Sequence, residues 1–111
     1  MDEDINKLCN VRVNVLYIVI PCYNEEEVLI ETSKRLLEKI NKLIINNRIA
    51  ETSKILFIDD GSKDKTWTII EDLHKKYSII SGLKLSRNRG HQNALLAGLI
   101  KSSEYADVII S

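Results

Sequence analysis

Asp59 and Asp60 are adjacent carboxylates at the end of the apolar run Ile55-Leu56-Phe57-Ile58, with Gly61, Ser62 and Asp64 just behind them. Side-by-side carboxylates suit acid–base work, metal binding, or acceptance of hydrogen bonds from a ligand. A structural role competes with these: Asp and Gly make turns, and Asp64 can cap the following helix. Two further stretches carry polar groups directly after an apolar segment. They are Pro21–Glu25, with Tyr23, and Ser86–His91, with Arg87, Asn88, Arg89 and Gly90.

The elements that position these groups alternate along the chain. Val11–Ile20 reads as a strand, and Pro21 stops it because proline donates no ladder hydrogen bond. Asn24 is a good N-cap and Glu25, Glu26 and Glu27 suit the positive end of a helix dipole, so a helix is expected over 25–46. Its apolar face is Val28, Leu29, Leu36, Leu37, Ile40, Leu43 and Ile44. Lys54–Ile58 is a fully buried strand by its unbroken apolarity. A second helix runs from Asp64 to Tyr77 with Trp67, Ile70, Leu73 and Tyr77 on one face. Gly82–Leu85 is a third strand, 91–102 a third helix with Ala94, Leu95, Gly98 and Leu99 inward, and Asp107–Ser111 a fourth strand. Strand–helix alternation specifies an α/β fold, a three-layer Rossmann-like parallel sheet with helices on both faces. The three polar stretches then share the carboxyl edge of the sheet, where such folds bind ligands.

The whole chain narrows the function classes. Its 111 residues allow one small domain. Sixteen basic residues balance sixteen acidic ones, which argues against a nucleic-acid binder. Cys9 and Cys22 form no C-x-x-C pair and read as free thiols of a reducing compartment. Met1–Asn10 is a polar, acidic, flexible leader without a signal-peptide core. The longest apolar run, Val15–Ile20, is too short for a membrane span. The expectation is a cytoplasmic, soluble chain.

The rim carries groups of the kinds that a nucleotide needs. Asp59 or Asp60 can accept from a base N–H, and Arg87 and Arg89 can supply charge to a diphosphate. A dinucleotide fingerprint is excluded, since the turn Pro21-Cys22-Tyr23-Asn24-Glu25 has no glycine and Glu25–Glu27 repel a pyrophosphate. No P-loop is present. Ser62 with His91 and an Asp lacks a nucleophile elbow. His74, beside Asp72, Lys75 and Lys76, reads as a solvated side chain. His91 opens the third helix, where a structural or capping role and a ligand contact both stay open. Asp2-Glu3-Asp4 lies in the leader and is rejected as a metal motif.

Four stretches resemble the family 2 glycosyltransferases, whose nucleotide-binding half is a GT-A fold. Val19–Glu26 is similar to the family's P-x-Y-N-E, Ile58–Thr66 to its D-D-G-S-x-D-x-T, and Leu85–Gly90 to its S-R-N-x-G. Gly90–Leu99 is similar to the G-H-Q-x-A-L-x-A-G-L of the branch that transfers hexoses to polyprenyl phosphates, such as bactoprenol and dolichyl phosphate. The resemblance implies that Pro21, Tyr23 and Glu25 line the nucleoside pocket, Tyr23 near the base and Glu25 near the ribose. It implies that Asp59 takes the base N–H and that Asp60 orders the pocket toward ribose and phosphates. Arg87 would contact the base or a phosphate, while Asn88, Gly90 and His91 shape the third loop.

The implied activity is inverting transfer of a hexose from a nucleotide sugar, UDP- or GDP-linked, to an acceptor such as a lipid phosphate. Such enzymes use a divalent metal, Mg or Mn, on an Asp-x-Asp motif after the fourth strand. Residues 11–111 are therefore expected to be the N-terminal nucleotide-sugar-binding part of a longer enzyme at the cytoplasmic face of a membrane. That part holds neither the metal ligands nor the catalytic base, and it is expected to bind nucleotide weakly and to be inactive alone. The edge at 108–110 invites self-association. A non-catalytic nucleotide-binding module is the alternative. A phosphorylated signalling receiver is disfavoured, because its acidic pair would follow the first strand, where Pro21-Cys22 stands.

Overall fold

The computed structural model describes residues 13–111. The leader, Cys9, the Asp2-Glu3-Asp4 triplet and the expected strand start at Val11 lie outside the described residues.

Four parallel strands lie in the order β3-β2-β1-β4. They are β1 (Leu16–Cys22), β2 (Lys54–Asp59), β3 (Ile80–Lys84) and β4 (Val108–Ile110). Three helices connect them: α1 (Leu29–Ile45), α2 (Thr66–Lys76) and α3 (His91–Ser102). The fold is the expected α/β three-layer arrangement. Ile55, Phe57 and Ile80 pack with Leu29, Leu37, Ile40, Ile70 and Leu73 beneath α1 and α2. On the other face Val19, Leu56 and Ile58 pack against Ala94 of α3. Residues 55–59 of β2 are all buried, because helices cover both faces of this central strand.

Four local expectations are corrected. Pro21 does not end β1, which runs on to Cys22 with Pro21 opposite Ile58 and Cys22 opposite Asp59. The Asp60 N–H donates to the Cys22 carbonyl at 2.8 Å, so Cys22 turns its backbone toward β2. By ladder alternation Pro21 faces the other way, toward β4. There the pairing with β1 covers only Leu16–Ile18, and no partner misses the absent donor.

Asn24 does not cap α1, which starts four residues later than expected, after Val28, with no side-chain cap. Asn24 holds a left-handed φ of 50°, and its side chain serves a neighbouring loop instead. Val28 and Leu43 leave the expected apolar face: they are 50% and 37% exposed. Ser33 takes a place on that face, and its buried hydroxyl donates to the Leu29 carbonyl at 2.7 Å, which removes the cost of burying it.

His74 is exposed but not merely solvated. Its Nδ1 stands 2.7 Å from the Ile80 carbonyl oxygen, which makes that nitrogen the donor and ties α2 to β3. On the opposite face Gly98 lets α3 sit close to the sheet. A Cβ there would approach Val19 Cγ1 to 2.5 Å and Ile58 Cδ1 to 2.9 Å.

Candidate functional site

The carboxyl ends of β1, β2 and β3 are stitched to one another by main-chain bonds. The Asp60 N–H donates to the Cys22 carbonyl at 2.8 Å, and the Leu85 N–H donates to the Asp59 carbonyl at 2.9 Å. Asp59 and Asp60 are therefore held between the two other rim stretches. Both are buried, at 0% and 1% exposure, which is costly for carboxylates unless hydrogen bonds compensate.

The compensation differs between them. One Asp60 oxygen accepts the Arg89 N–H at 2.7 Å. Asp59 Oδ1 accepts the Ser62 N–H at 3.1 Å, while Asp59 Oδ2 is buried with no partner. An unpaired buried acceptor of this kind fits a ligand donor such as a base N–H. Asp60 spends an oxygen on fixing the third loop.

Gly61 lets the second and third loops touch. Its φ is 72°, and an added Cβ would collide with the backbones of Arg87 and Asn88. Within the third loop the Gly90 N–H donates to Asn88 Oδ1 at 2.9 Å, and Asn93 Nδ2 donates to the Arg89 carbonyl at 2.7 Å. Gly90 takes the N-cap position of α3 with φ 88°. Arg87, Asn88, Gly90 and His91 are all exposed, while Pro21, Tyr23 and Glu25 are half-buried at the end of β1. The structure thus brings Asp59, Asp60, Arg87 and Asn88 together. It ties the Glu25 main chain to Thr66 at the end of the second loop, and it leaves His91 exposed at the start of α3 with no side-chain cap.

Glu25 is reached through residues whose individual roles the sequence did not reveal. The Asn24 N–H donates to Ser62 Oγ at 2.9 Å, and the Lys63 N–H donates back to Asn24 Oδ1 at 2.9 Å. The Glu25 N–H donates to Thr66 Oγ1 at 2.8 Å, and the Glu26 N–H to Asp64 Oδ2 at 3.3 Å. Asp64 Oδ1 accepts from the Thr66 N–H at 2.9 Å and also from its hydroxyl. Ser62, Asp64 and Thr66 form a clamp on the first loop. Their only signal was membership of the Asp59–Thr66 motif; Asp64 does also start the helix, as an Asx turn.

Electrostatics follow from this packing. Burial pushes the Cys22 thiol up to about 12, with the charges of Glu25 and then Asp59 adding to it. Asp64 lies below its ordinary range, because the Thr66 and Glu26 hydrogen bonds outweigh its desolvation. The cavity beside the first loop, of 330 Å³, is lined by Glu25, Glu26, Glu27 and Asp64 together with Asn24 and Val28. Four carboxylates there disfavour a phosphate. Among the described residues no group of three or more His, Cys, Asp or Glu side chains is placed to hold a metal ion. The described residues thus do not fit a metal centre.

Residues 17–109 match the family model Glycosyl transferase family 2. The chain is 55% identical over 87% of its length to Uncharacterized glycosyltransferase YkoT of Bacillus subtilis (strain 168), of which it covers 29%. It is 43% identical over 76% of its length to Uncharacterized glycosyltransferase sll0501 of Synechocystis sp. (strain ATCC 27184 / PCC 6803 / Kazusa), covering 24% of that protein. It is 36% identical over 80% of its length to the undecaprenyl-phosphate 4-deoxy-4-formamido-L-arabinose transferase of Shewanella sediminis (strain HAW-EB3), covering 25%. The chain thus spans less than a third of each relative.

Proposed function

The chain belongs to glycosyl transferase family 2, and from that premise we propose that it is the donor-nucleotide half of an inverting glycosyltransferase. The observation that carries this reading is Asp59 Oδ2, a buried acceptor without a partner at the carboxyl end of β2. Asp59 accepts the base N–H of a UDP- or GDP-sugar. Tyr23 lies along the base and Glu25 meets the ribose. Asp60 acts through the third loop, which carries Arg87 toward the base or a phosphate and holds Asn88, Gly90 and His91 in place.

A divalent metal, Mg or Mn, on the diphosphate belongs to the complete enzyme and is held by residues other than those described. So is the base that activates the acceptor. The chain alone binds nucleotide weakly and does not transfer sugar, because neither group is supplied. A polyprenyl phosphate is the acceptor that the Gly90–Leu99 motif and the undecaprenyl-phosphate relative favour. Such an acceptor places the complete enzyme at the cytoplasmic face of a membrane. In the described residues no helix is long and apolar enough to cross one.

Val108 and Ile110 of β4 are 41% and 52% exposed, and through them the chain self-associates at high concentration; a clean monomer by light scattering rules this out. The nucleotide reading is tested by adding UDP or GDP to the isotopically labelled chain. Amide shifts are expected at Tyr23, Glu25, Asp59–Gly61 and Arg87–His91. Shifts confined to other surfaces contradict it.

A further inference from the structure

β3 is the outer strand of the sheet on the side away from β4. Its backbone alternates in direction. The Leu85 N–H reaches the Asp59 carbonyl and the Ile79 carbonyl accepts from the Ile55 N–H, so odd-numbered residues face β2. Ile80, Gly82 and Lys84 therefore face outward. Ile80 is already satisfied, since its N–H donates to the Tyr77 carbonyl at 3.1 Å and its carbonyl accepts from His74 at 2.7 Å. Gly82 and Lys84 are exposed, and their outward N–H and C=O groups have no protein partner among the described residues. Four open backbone groups stand in one line, two residues apart.

A cavity of about 420 Å³ runs along this edge. One wall is α2, with Trp67, His74 and Lys75. The other is the α3 face of the sheet, where Tyr17 stacks on Tyr105 at 6.4 Å beside Leu56 and Leu83. On the α2 wall Lys75 and Lys84, whose Nζ lies 5.9 Å over the Trp67 ring, outnumber Glu71, while Lys101 stands on the other wall.

We propose that this edge accepts an extended segment of another polypeptide as a fifth strand. The segment makes its backbone bonds to Gly82 and Lys84. It places apolar side chains on the Leu83 wall and, alternating with them, carboxylates on the Lys75 wall. A small molecule would leave most of a linear row of four backbone groups unmet. A second copy pairing through its own β3 would bring its own α2 to the space where Trp67, His74 and Lys75 already overhang the edge. The surface is distinct from the rim of Asp59 and Asp60, so it stands whether or not nucleotide binds there.

The test uses the full chain and the peptide acetyl-Val-Glu-Val-Glu-Val-amide. Hydrogen exchange at the Gly82 and Lys84 amides should slow by roughly tenfold or more at saturating peptide. Lys84→Pro removes one outward donor and leaves the ladder to β2 intact. It should keep the fold by circular dichroism and weaken the peptide about tenfold. Lys75→Glu should weaken it several-fold, and a peptide with lysine at the glutamate positions should bind more weakly than its acidic counterpart. Unchanged exchange at Gly82 overturns the proposal. So does equal binding of the lysine peptide, or protection of Gly82 without peptide in a chain that light scattering shows to be dimeric.

Discussion

The Asp60 carboxylate accepts the main-chain N–H of Arg89 at 2.7 Å, across 29 positions of sequence. One buried side chain at the end of β2 thereby sets the path of the loop that follows β3. Removing the acceptor leaves the Arg89 N–H without its partner. Asp60→Ala should cost about 1–3 kcal/mol in denaturant unfolding. Asp60→Asn retains an oxygen and should cost less. Equal losses for the two would mean that charge, and not the hydrogen bond, holds the loop.

Gly61 must stay glycine for two independent reasons, its left-handed backbone and the contact with Arg87 and Asn88. Gly61→Ala should destabilise the chain by about 2 kcal/mol or more and shift the amides of residues 86–90. A neutral substitution would show that the second and third loops do not touch.

Asp64 gives the chain an acid-sensitive joint. Its carboxyl is held below the ordinary value of 3.8 by the Thr66 and Glu26 hydrogen bonds, against the opposing effect of desolvation. A depressed folded pKa means that the carboxylate stabilises the fold above the unfolded value. The gain is lost as pH falls through the folded one. The stability gap between the wild-type chain and Asp64→Asn should be flat above about pH 5 and shrink below about pH 4. A gap independent of pH would deny the carboxylate this role.

Cys22 behaves in the opposite sense. A thiol raised to about 12 stays protonated in the folded chain, while in the unfolded chain it ionises near pH 8.5. Its contribution is complete below that pH and declines as pH climbs toward the folded value. Peptide-resolved iodoacetamide labelling at pH 8.5 should leave Cys22 unmodified in the folded chain and modify it readily in denaturant. Equal labelling in both states would contradict the burial.

Much of this was legible in the residues. The unbroken apolarity of Ile55–Ile58 marked a strand covered on both faces, and the strand–helix alternation fixed parallel order. The three rim stretches were readable because each is polar directly after an apolar run. What the sequence hid is long-range. Asn24 has the composition of a cap, yet its hydrogen bonds go to Ser62 and Lys63, nearly forty residues away. Pro21 breaks a central strand only where a neighbour needs its donor, and that depends on how far β4 extends. Val28 fits the helical apolar period but precedes the helix itself, and Leu43 lies at the margin of its buried stripe.

The most direct test is calorimetry of the chain with UDP and GDP, comparing wild type with Asp59→Asn. An amide at that position presents an N–H₂ or loses charge where the base N–H should be accepted. Binding by the wild type is expected at roughly 0.1–1 mM, with a loss of tenfold or more in the variant. Sub-micromolar affinity without metal, or binding indifferent to Asp59→Asn, would contradict the assignment of this edge as half of a donor-nucleotide site.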